Sequence, residues 1–297
     1  MEAFSRGWAF LKQAWQMALK DRDLIKPSIY ALVVGGIVSL LGIIPIILVT
    51  MLMGGSDVGN VISFILGALL IFVQFIVSYI FSGMTVYLIY GYLSEGDGRM
   101  DKAWGIVKRD LFDITTLAAV STVVNLLKSA ANRNRKGGVG ATLARAGAGL
   151  VETLWTEAAY LILPAMVIDD LNLKKGLERI WGITKNNLLL IGISTVGVRM
   201  VTGLIGFIIG LIGAVIGFAI GGAAVAASSD PVIIGLGIGI GVLIFFFFVM
   251  IASVISSYTG TAYHTCLYIW ARDVEAAREK GKADQVAAPA PLAAVLP

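Results

Sequence analysis

Long apolar runs alternate with short polar segments along the whole chain. Six runs carry few or no charges and approach or exceed the length of about 20 residues that an α-helix needs to cross a bilayer. They cover residues 27–53, 60–93, 111–127, 150–168, 188–227 and 232–270. No segment between them is large enough to fold as a soluble catalytic domain. The pattern predicts an all-α, polytopic transmembrane helix bundle with about six spans.

Composition supports this class. Of the 297 residues, 58% are hydrophobic and 14% are charged, whereas soluble domains carry about 25% charged residues. The net charge of +4 comes from bases beside the apolar runs, where they set topology and meet anionic lipid headgroups. We therefore expect the lipid bilayer as a partner and no nucleic acid.

The distribution of Lys and Arg predicts the orientation. The N-terminal segment, the second and fourth connections and the C-terminal tail each carry four or five bases, while the first and fifth connections carry none. Because bases accumulate in cytoplasmic segments, we expect a multi-pass protein of the cell (inner) membrane with both termini in the cytoplasm. The first span would serve as an uncleaved anchor.

The third connection departs from this rule. It contains Lys128, Arg133, Arg135, Lys136 and Arg145, although six spans would place it outside. Either the third and fourth helices form a hairpin that does not cross, or the basic segment is translocated. We favour translocation, because the internal repeat described next requires a crossing pair.

A weak threefold repeat divides the predicted domain, residues 1–285. Residues 104–111 and 181–188 both read W-G-I-x-K-x-[DN]-L, and residues 15–24 form a looser copy. The units cover about 4–93, 98–170 and 174–270, each a short amphipathic helix followed by two spans. Tryptophan prefers the headgroup level, so the expected interfacial anchors are Trp8, Trp15, Trp104 and Trp181. The Ala/Pro-rich tail, 286–297, is predicted to be disordered unless a partner holds it.

Two motifs carry a resemblance to a known family. The first is F-x-R-G-W-x-x-x-K-x-x-W, present here from Phe4 to Trp15. The second begins at Leu163-Pro164, continues through 167–170 and ends at 181–185. The chain resembles six-span membrane proteins of bacteria and archaea, and more distantly the membrane domain of some glycerophosphodiester phosphodiesterases. The resemblance implies the fold and no particular activity.

Four ionisable residues lie within the predicted spans. At a rise of about 1.5 Å per residue, Glu157 and Arg199 both lie about 18 Å from the inner ends of their helices, and Glu152 and Lys128 both lie about 25 Å deep. Equal depths predict two ion pairs, Glu157–Arg199 and Glu152–Lys128. Such pairs either line a polar path or proton relay, or simply fix helix positions.

Glycines form a stripe on the fifth span. Close helix packing uses such small-residue faces, and we expect this one to contact another span or a second subunit. The glycines of the sixth span, 235 to 241 at intervals of two, are predicted to form no single seam. The stripe on the fifth span contains Gly203, Gly206, Gly210, Gly213, Gly217 and Gly221.

The sequence contains no motif of hydrolase, nucleotide-binding or metalloprotease chemistry. Its single cysteine, Cys266, and single histidine, His264, lie two residues apart, which points them in different directions on a helix. We expect His264 to be a hydrogen-bonded structural group, and we expect no catalytic residue, metal or cofactor.

These observations predict a structural role in assembly or partner binding. The protein would be homo-oligomeric through glycine-rich faces or would bind another membrane protein. The alternative is a transporter or channel that uses Glu152, Glu157, Arg199 and Lys128.

Overall fold

The computed structural model describes residues 2–133, 139–185, 188–278 and 286–294, and every regular element in these ranges is a helix. Six helices are long and apolar enough to cross a membrane, which confirms the predicted all-α, multi-pass architecture. The helices are α1 Glu2–Lys20, α2 Lys26–Met53, α3 Asp57–Glu95, α4 Met100–Arg109, α5 Leu111–Arg133, α6 Val139–Asp169, α7 Leu173–Lys185, α8 Leu188–Ala227, α9 Pro231–Arg278 and α10 Ala290–Ala293.

The order of one short and two long helices occurs three times, as α1–α2–α3, α4–α5–α6 and α7–α8–α9. The short helices are amphipathic and lie at the end of the molecule where α3, α6 and α9 terminate. We call this end the base. Its core is built from fully buried side chains such as Phe10, Leu88, Ile162 and Tyr263. The apolar stripes of α1, α4 and α7 are therefore buried largely against protein.

Away from the base, the long helices differ in how much of their surface the protein covers. In the most apolar part of each span, 28% of α5 and 44% of α6 is buried, against 0–11% of α2, α3, α8 and α9. Large side chains such as Leu52 and Phe218 are more than 80% exposed. Surface of this kind is stable only in lipid or against another membrane protein. The hairpins α2–α3 and α8–α9 thus expose the most apolar surface, although the second half of α3 is buried and packs against α5, α6 and α9.

Asp21 ties the first unit to the second. Its Oδ1 accepts a hydrogen bond from the Asp23 amide (3.0 Å), which caps the short 3-10 turn Arg22–Leu24, and its Oδ2 accepts one from the Gly98 amide (2.7 Å). A Cβ at Gly98 would lie 2.8 Å from that same Oδ2. Glycine at this position therefore allows the turn after α3 to approach the end of α1.

The glycine stripe of α8 packs against α9 over only half its length. A Cβ added at Gly213 would lie 2.6 Å from Phe248 Cβ, and Gly217 meets the backbone of Gly241 directly. Gly221 faces Ile238. The other half is open, because no described atom lies within 4 Å of a Cβ added at the glycines of this half, Gly203, Gly206 and Gly210.

The sixth-span glycines refine one prediction. Gly237 and Gly241 are four residues apart on α9, and both face α8, Gly237 against Ala224 and Gly241 against Gly217. Gly235 and Gly239 lie on another face, where the described structure places nothing within 4 Å of a Cβ. The four glycines therefore form no single seam, as predicted, but two of them pack against α8.

Two further predictions need correction. Trp15 is not an interfacial anchor, because its Nε1 donates to Thr259 Oγ1 (3.3 Å) and its ring packs edge-on against Tyr258. Trp8, Trp104 and Trp181 are exposed by 44–71%. The tail is not disordered throughout: α10 contacts α1 and α9, and Leu292 is fully buried. The chain itself supplies the partner that holds the tail. Residues 295–297 lie outside the described ranges.

The α8–α9 seam yields a matched pair of substitutions. We expect Gly217→Ala to destabilise the folded protein by roughly 1–3 kcal/mol, because the new methyl group meets the Gly241 backbone and the two helices must separate. Gly206→Ala, on the same helix with open space, should be neutral or slightly stabilising. Thermal unfolding in mild detergent measures both, and equal melting temperatures for the two variants would contradict this packing.

Asp110 occupies the joint between α4 and α5 and gives a pH-dependent prediction. Its side chain is 7% exposed, and Arg109 donates to both carboxylate oxygens at 2.6 and 3.1 Å. Burial raises the pKa of Asp110, while the bonds from Arg109 oppose this rise. Arg109→Leu removes the counter-charge and should cost about 1–3 kcal/mol at neutral pH.

A raised folded-state pKa means that the ionised carboxylate destabilises the folded chain above that pKa, and that this cost disappears as the pH falls through it. The loss in Arg109→Leu should therefore shrink under acidic conditions. Combining it with Asp110→Asn should restore much of the stability at neutral pH. A loss independent of pH would show that the charge of Asp110 is not responsible.

Candidate functional site

A polar groove of about 640 Å³ opens between α2, α3, α6 and α9, within segments that are otherwise apolar. Seven serines and one glutamine dominate its polar lining, and none of the described lining residues is charged. We call it the serine groove. Its polar side chains are Ser28, Ser39, Gln74, Ser78, Ser82, Ser253, Ser256, Ser257 and Tyr160.

Helical spacing explains why these residues share one groove. Gln74, Ser78 and Ser82 follow one another at intervals of four, so they form a single stripe along α3. Ser253 and Ser257 do the same on α9. We did not predict this site, because a single serine in an apolar span does not indicate a polar groove. The stripe of polar residues four apart inside an apolar span was the signal that could have found it.

Gln74 fixes the wall between α2 and α3. Its Nε2 donates to the Gly35 carbonyl (2.8 Å) and to Ser39 Oγ (2.7 Å). A Cβ at Gly35 would lie 3.2 Å from Gln74 Oε1, so glycine leaves room for the amide. This side chain links the two helices and presents a polar edge to the groove.

The remaining serine hydroxyls differ from other hydroxyls in the spans. Thr50, Thr116 and Thr153 each donate to the carbonyl four residues earlier, at 2.8–2.9 Å. Such internal bonds are how a hydroxyl is usually satisfied in a membrane helix. Within the described chain, the structure records no hydrogen bond from the hydroxyls of Ser28, Ser78, Ser82, Ser253, Ser256 and Ser257. These groups are available to water or to a polar ligand.

A second, smaller cavity of about 90 Å³ lies beside the groove, and Ser78, Ser82 and Tyr160 line both. Its far wall is a hydrogen-bonded cluster in which Ser121 Oγ lies 2.7 Å from Tyr79 Oη and accepts from Trp155 Nε1 at 2.8 Å. Polar side chains therefore continue from α2 across α3 to α5 and α6.

The structure brings Lys128 and Glu152 together, with Nζ 2.5 Å from Oε2. The side chains are 38% and 26% exposed, and Glu152 lines the smaller cavity. Two further contacts join the same part of the chain, Ser121 with Trp155 and Arg109 with Asp170. From one contact to the next, the residue number falls on the α5 side as it rises on the α6 side, so α5 and α6 are antiparallel neighbours. That register explains why equal depth was sufficient to pair these two residues.

Glu157 has a partner that the sequence did not suggest. Its Oε2 lies 3.2 Å from His264 Nε2, and His264 Nδ1 lies 2.7 Å from the Gly260 carbonyl. The imidazole is stacked on Tyr160 with ring centroids 4.9 Å apart. The side chain of Arg199 lies outside the described part of the chain, so the pair Glu157–Arg199 stays a prediction. In the basic third connection, residues 134–138 also lie outside the described part of the chain.

The base contains one more polar cluster that sequence reasoning missed. Asp169, at the end of α6, accepts hydrogen bonds from Tyr268 Oη and from Arg272 Nη1 (3.1 Å), both on α9. Arg272 also lies over the Tyr90 ring. The cluster joins the ends of α3, α6 and α9, and so fixes the base from which the serine groove opens.

No protein-family model matches the chain, and no curated protein is a match. The resemblance to six-span membrane proteins therefore stays a prediction. Within the described ranges, no group of three or more His, Cys, Asp or Glu side chains could hold a metal ion. The architecture defines a multi-pass integral membrane protein with a polar groove among its spans, and the described lining of this groove is uncharged.

A double-mutant cycle measures the pair in the smaller cavity. Lys128→Met and Glu152→Gln should each destabilise the protein, because each leaves a charge without its partner in a poorly solvated site. The double variant should lose less than the sum of the two, with a coupling free energy of roughly 0.5–3 kcal/mol. Additive losses in detergent unfolding would show that the contact contributes nothing.

Proposed function

We propose that this protein transports a small, uncharged, hydroxyl-rich solute through the serine groove. The observation that carries the proposal is a row of hydroxyl groups, inside an apolar helix bundle, for which the described residues provide no hydrogen-bond partner. Polar groups in hydrocarbon are costly unless water or another polar group satisfies them. A groove lined in this way is therefore wet or occupied by a polar ligand.

The lining indicates the class of solute. The volume of about 640 Å³ falls within the range of roughly 300–1,000 Å³ typical of small-molecule sites. Charged substrates are usually met by side chains of opposite charge, and no charged side chain lines this groove among the described residues. Hydroxyl and amide groups both donate and accept hydrogen bonds, which suits a polyol or a similar neutral solute.

The remaining features of the protein fit a carrier. The positive-inside distribution supports a cell-membrane location with both termini in the cytoplasm, so that the base faces the cytoplasm. The proposed activity is transport without covalent chemistry, and it requires no cofactor. Basic side chains of the short helices would meet anionic lipid headgroups at the cytoplasmic face.

A second candidate is assembly with another copy of the chain. It is favoured by the open glycine face at Gly203, Gly206 and Gly210, where a second helix could approach closely. The mass of the purified particle in mild detergent separates the possibilities: replacing Gly206 with Leu should halve the mass of a dimer built on this face and leave a monomer unchanged.

Cysteine labelling tests whether the groove is wet. The native Cys266 is buried, so the wild-type protein serves as the background. In proteoliposomes, cysteine placed at Ser256 should react rapidly with a water-soluble methanethiosulfonate, because its thiol can ionise in water. Cysteine at Ile44, which is 54% exposed on an apolar surface, should react slowly. Equal, slow labelling at both positions would contradict a hydrated groove.

Solute flux tests the function itself. Proteoliposomes exposed to excess glycerol or sorbitol should re-swell faster than empty liposomes, as followed by light scattering. Ser78→Leu should abolish this gain by filling the groove, whereas Thr50→Leu, on an outward surface of the same hairpin, should preserve it. If the Ser78→Leu protein conducts as well as the wild type, the groove is not the path.

A further inference from the structure

His264 and Glu157 face each other beside the serine groove. The His264 side chain is 5% exposed and that of Glu157 is 26% exposed. Nε2 of the imidazole lies 3.2 Å from the Glu157 carboxylate, and Nδ1 lies 2.7 Å from the Gly260 carbonyl. Tyr160, which stacks on the imidazole, also lines both polar cavities. The two residues therefore adjoin the groove through one aromatic ring.

The hydrogen bonds of the imidazole restrict its protonation. A carbonyl oxygen only accepts, so Nδ1 must carry a hydrogen to bond Gly260. Nε2 faces a carboxylate oxygen, and this second contact also needs a proton between the two atoms. Because an imidazole is more basic than a carboxylate, the proton resides on Nε2. The pair is then imidazolium and carboxylate, with no net charge.

Loss of that proton changes the contact. A neutral imidazole that keeps its hydrogen on Nδ1 presents a lone pair at Nε2 to the negative oxygen of Glu157. The attraction becomes a repulsion, which favours separation of the two side chains. Since Glu157 and Tyr160 are on α6 and His264 is on α9, this change acts across the contact between two helices that form the groove.

We propose that His264 and Glu157 form a proton-binding dyad whose occupancy controls access to the serine groove. One proton from water bonds to Nε2 when the dyad loads, and the same proton returns to water when it unloads. The titratable groups around the ring include Glu157 and Tyr160 of α6 and Tyr263 of α9. The need for a proton between Nε2 and Oε2 is the same whatever charge Arg199 of α8 contributes. Control of access rests on the proposed function, whereas the dyad itself does not.

The chain has a single histidine, so nitrogen NMR of the ¹⁵N-histidine-labelled full-length protein in lipid reports on His264 alone. At neutral pH, we expect both ring nitrogens of the wild type to carry hydrogen. Glu157→Gln should lose the hydrogen on Nε2 and keep the one on Nδ1, because the amide can donate where the carboxylate could not. Glu178→Gln, at an exposed position of α7, is the control and should leave the signals unchanged. If Nε2 of the wild type carries no hydrogen at neutral pH, the dyad is refuted. This result requires no variant.

A second measurement tests the coupling. The labelling rate of cysteine at Ser256 should change several-fold more between mildly acidic and alkaline pH in the His264 protein than in His264→Asn. Asparagine can still donate to Gly260, but it does not titrate. Equal pH profiles in the two backgrounds would overturn the control of access, even if NMR supports the dyad. A dry groove would appear instead as slow labelling at every pH, which contradicts the proposed function and leaves the NMR result standing.

Discussion

The low polarity of the hydrocarbon core decides where each kind of side chain lies in this protein. In such surroundings an apolar side chain needs no protein partner, whereas every polar group must find one. The hairpins α2–α3 and α8–α9 satisfy this rule by exposing apolar surface along their most apolar segments. Lys128 with Glu152 and Glu157 with His264 satisfy it by pairing across helices. In the serine groove, the described residues provide no partner for several hydroxyl groups, which are left for water or a polar solute to satisfy.

Two kinds of small residue shape the two grooves of this protein. Gly217 and Gly241 bring α8 and α9 into backbone contact, and an apolar groove of about 730 Å³ lies beside this contact. Serines on α2, α3 and α9 are also small, but each adds a hydroxyl group to the surface. The groove beside the α8–α9 seam is therefore apolar, whereas the serine groove is polar.

Much of the architecture was predictable, because a span is a local property of about 20 residues. The pair Lys128–Glu152 was also predictable, since consecutive antiparallel helices have a register fixed by their short connection. Glu157–His264 was not, because α6 and α9 are distant in sequence and their relative height depends on the packing of the whole base. Trp15 was misassigned for a related reason: an amphipathic helix has the same sequence pattern whether its apolar face meets lipid or protein.

We propose that the serine groove holds water or a polar solute among apolar helices. An experimental structure in a lipid nanodisc, at a resolution that shows ordered water, is the decisive test. We expect water or solute density within hydrogen-bonding distance of Ser78, Ser82 and Ser256. An acyl chain filling the groove, or helices closed together with each hydroxyl bonded to its own helix, would contradict the account.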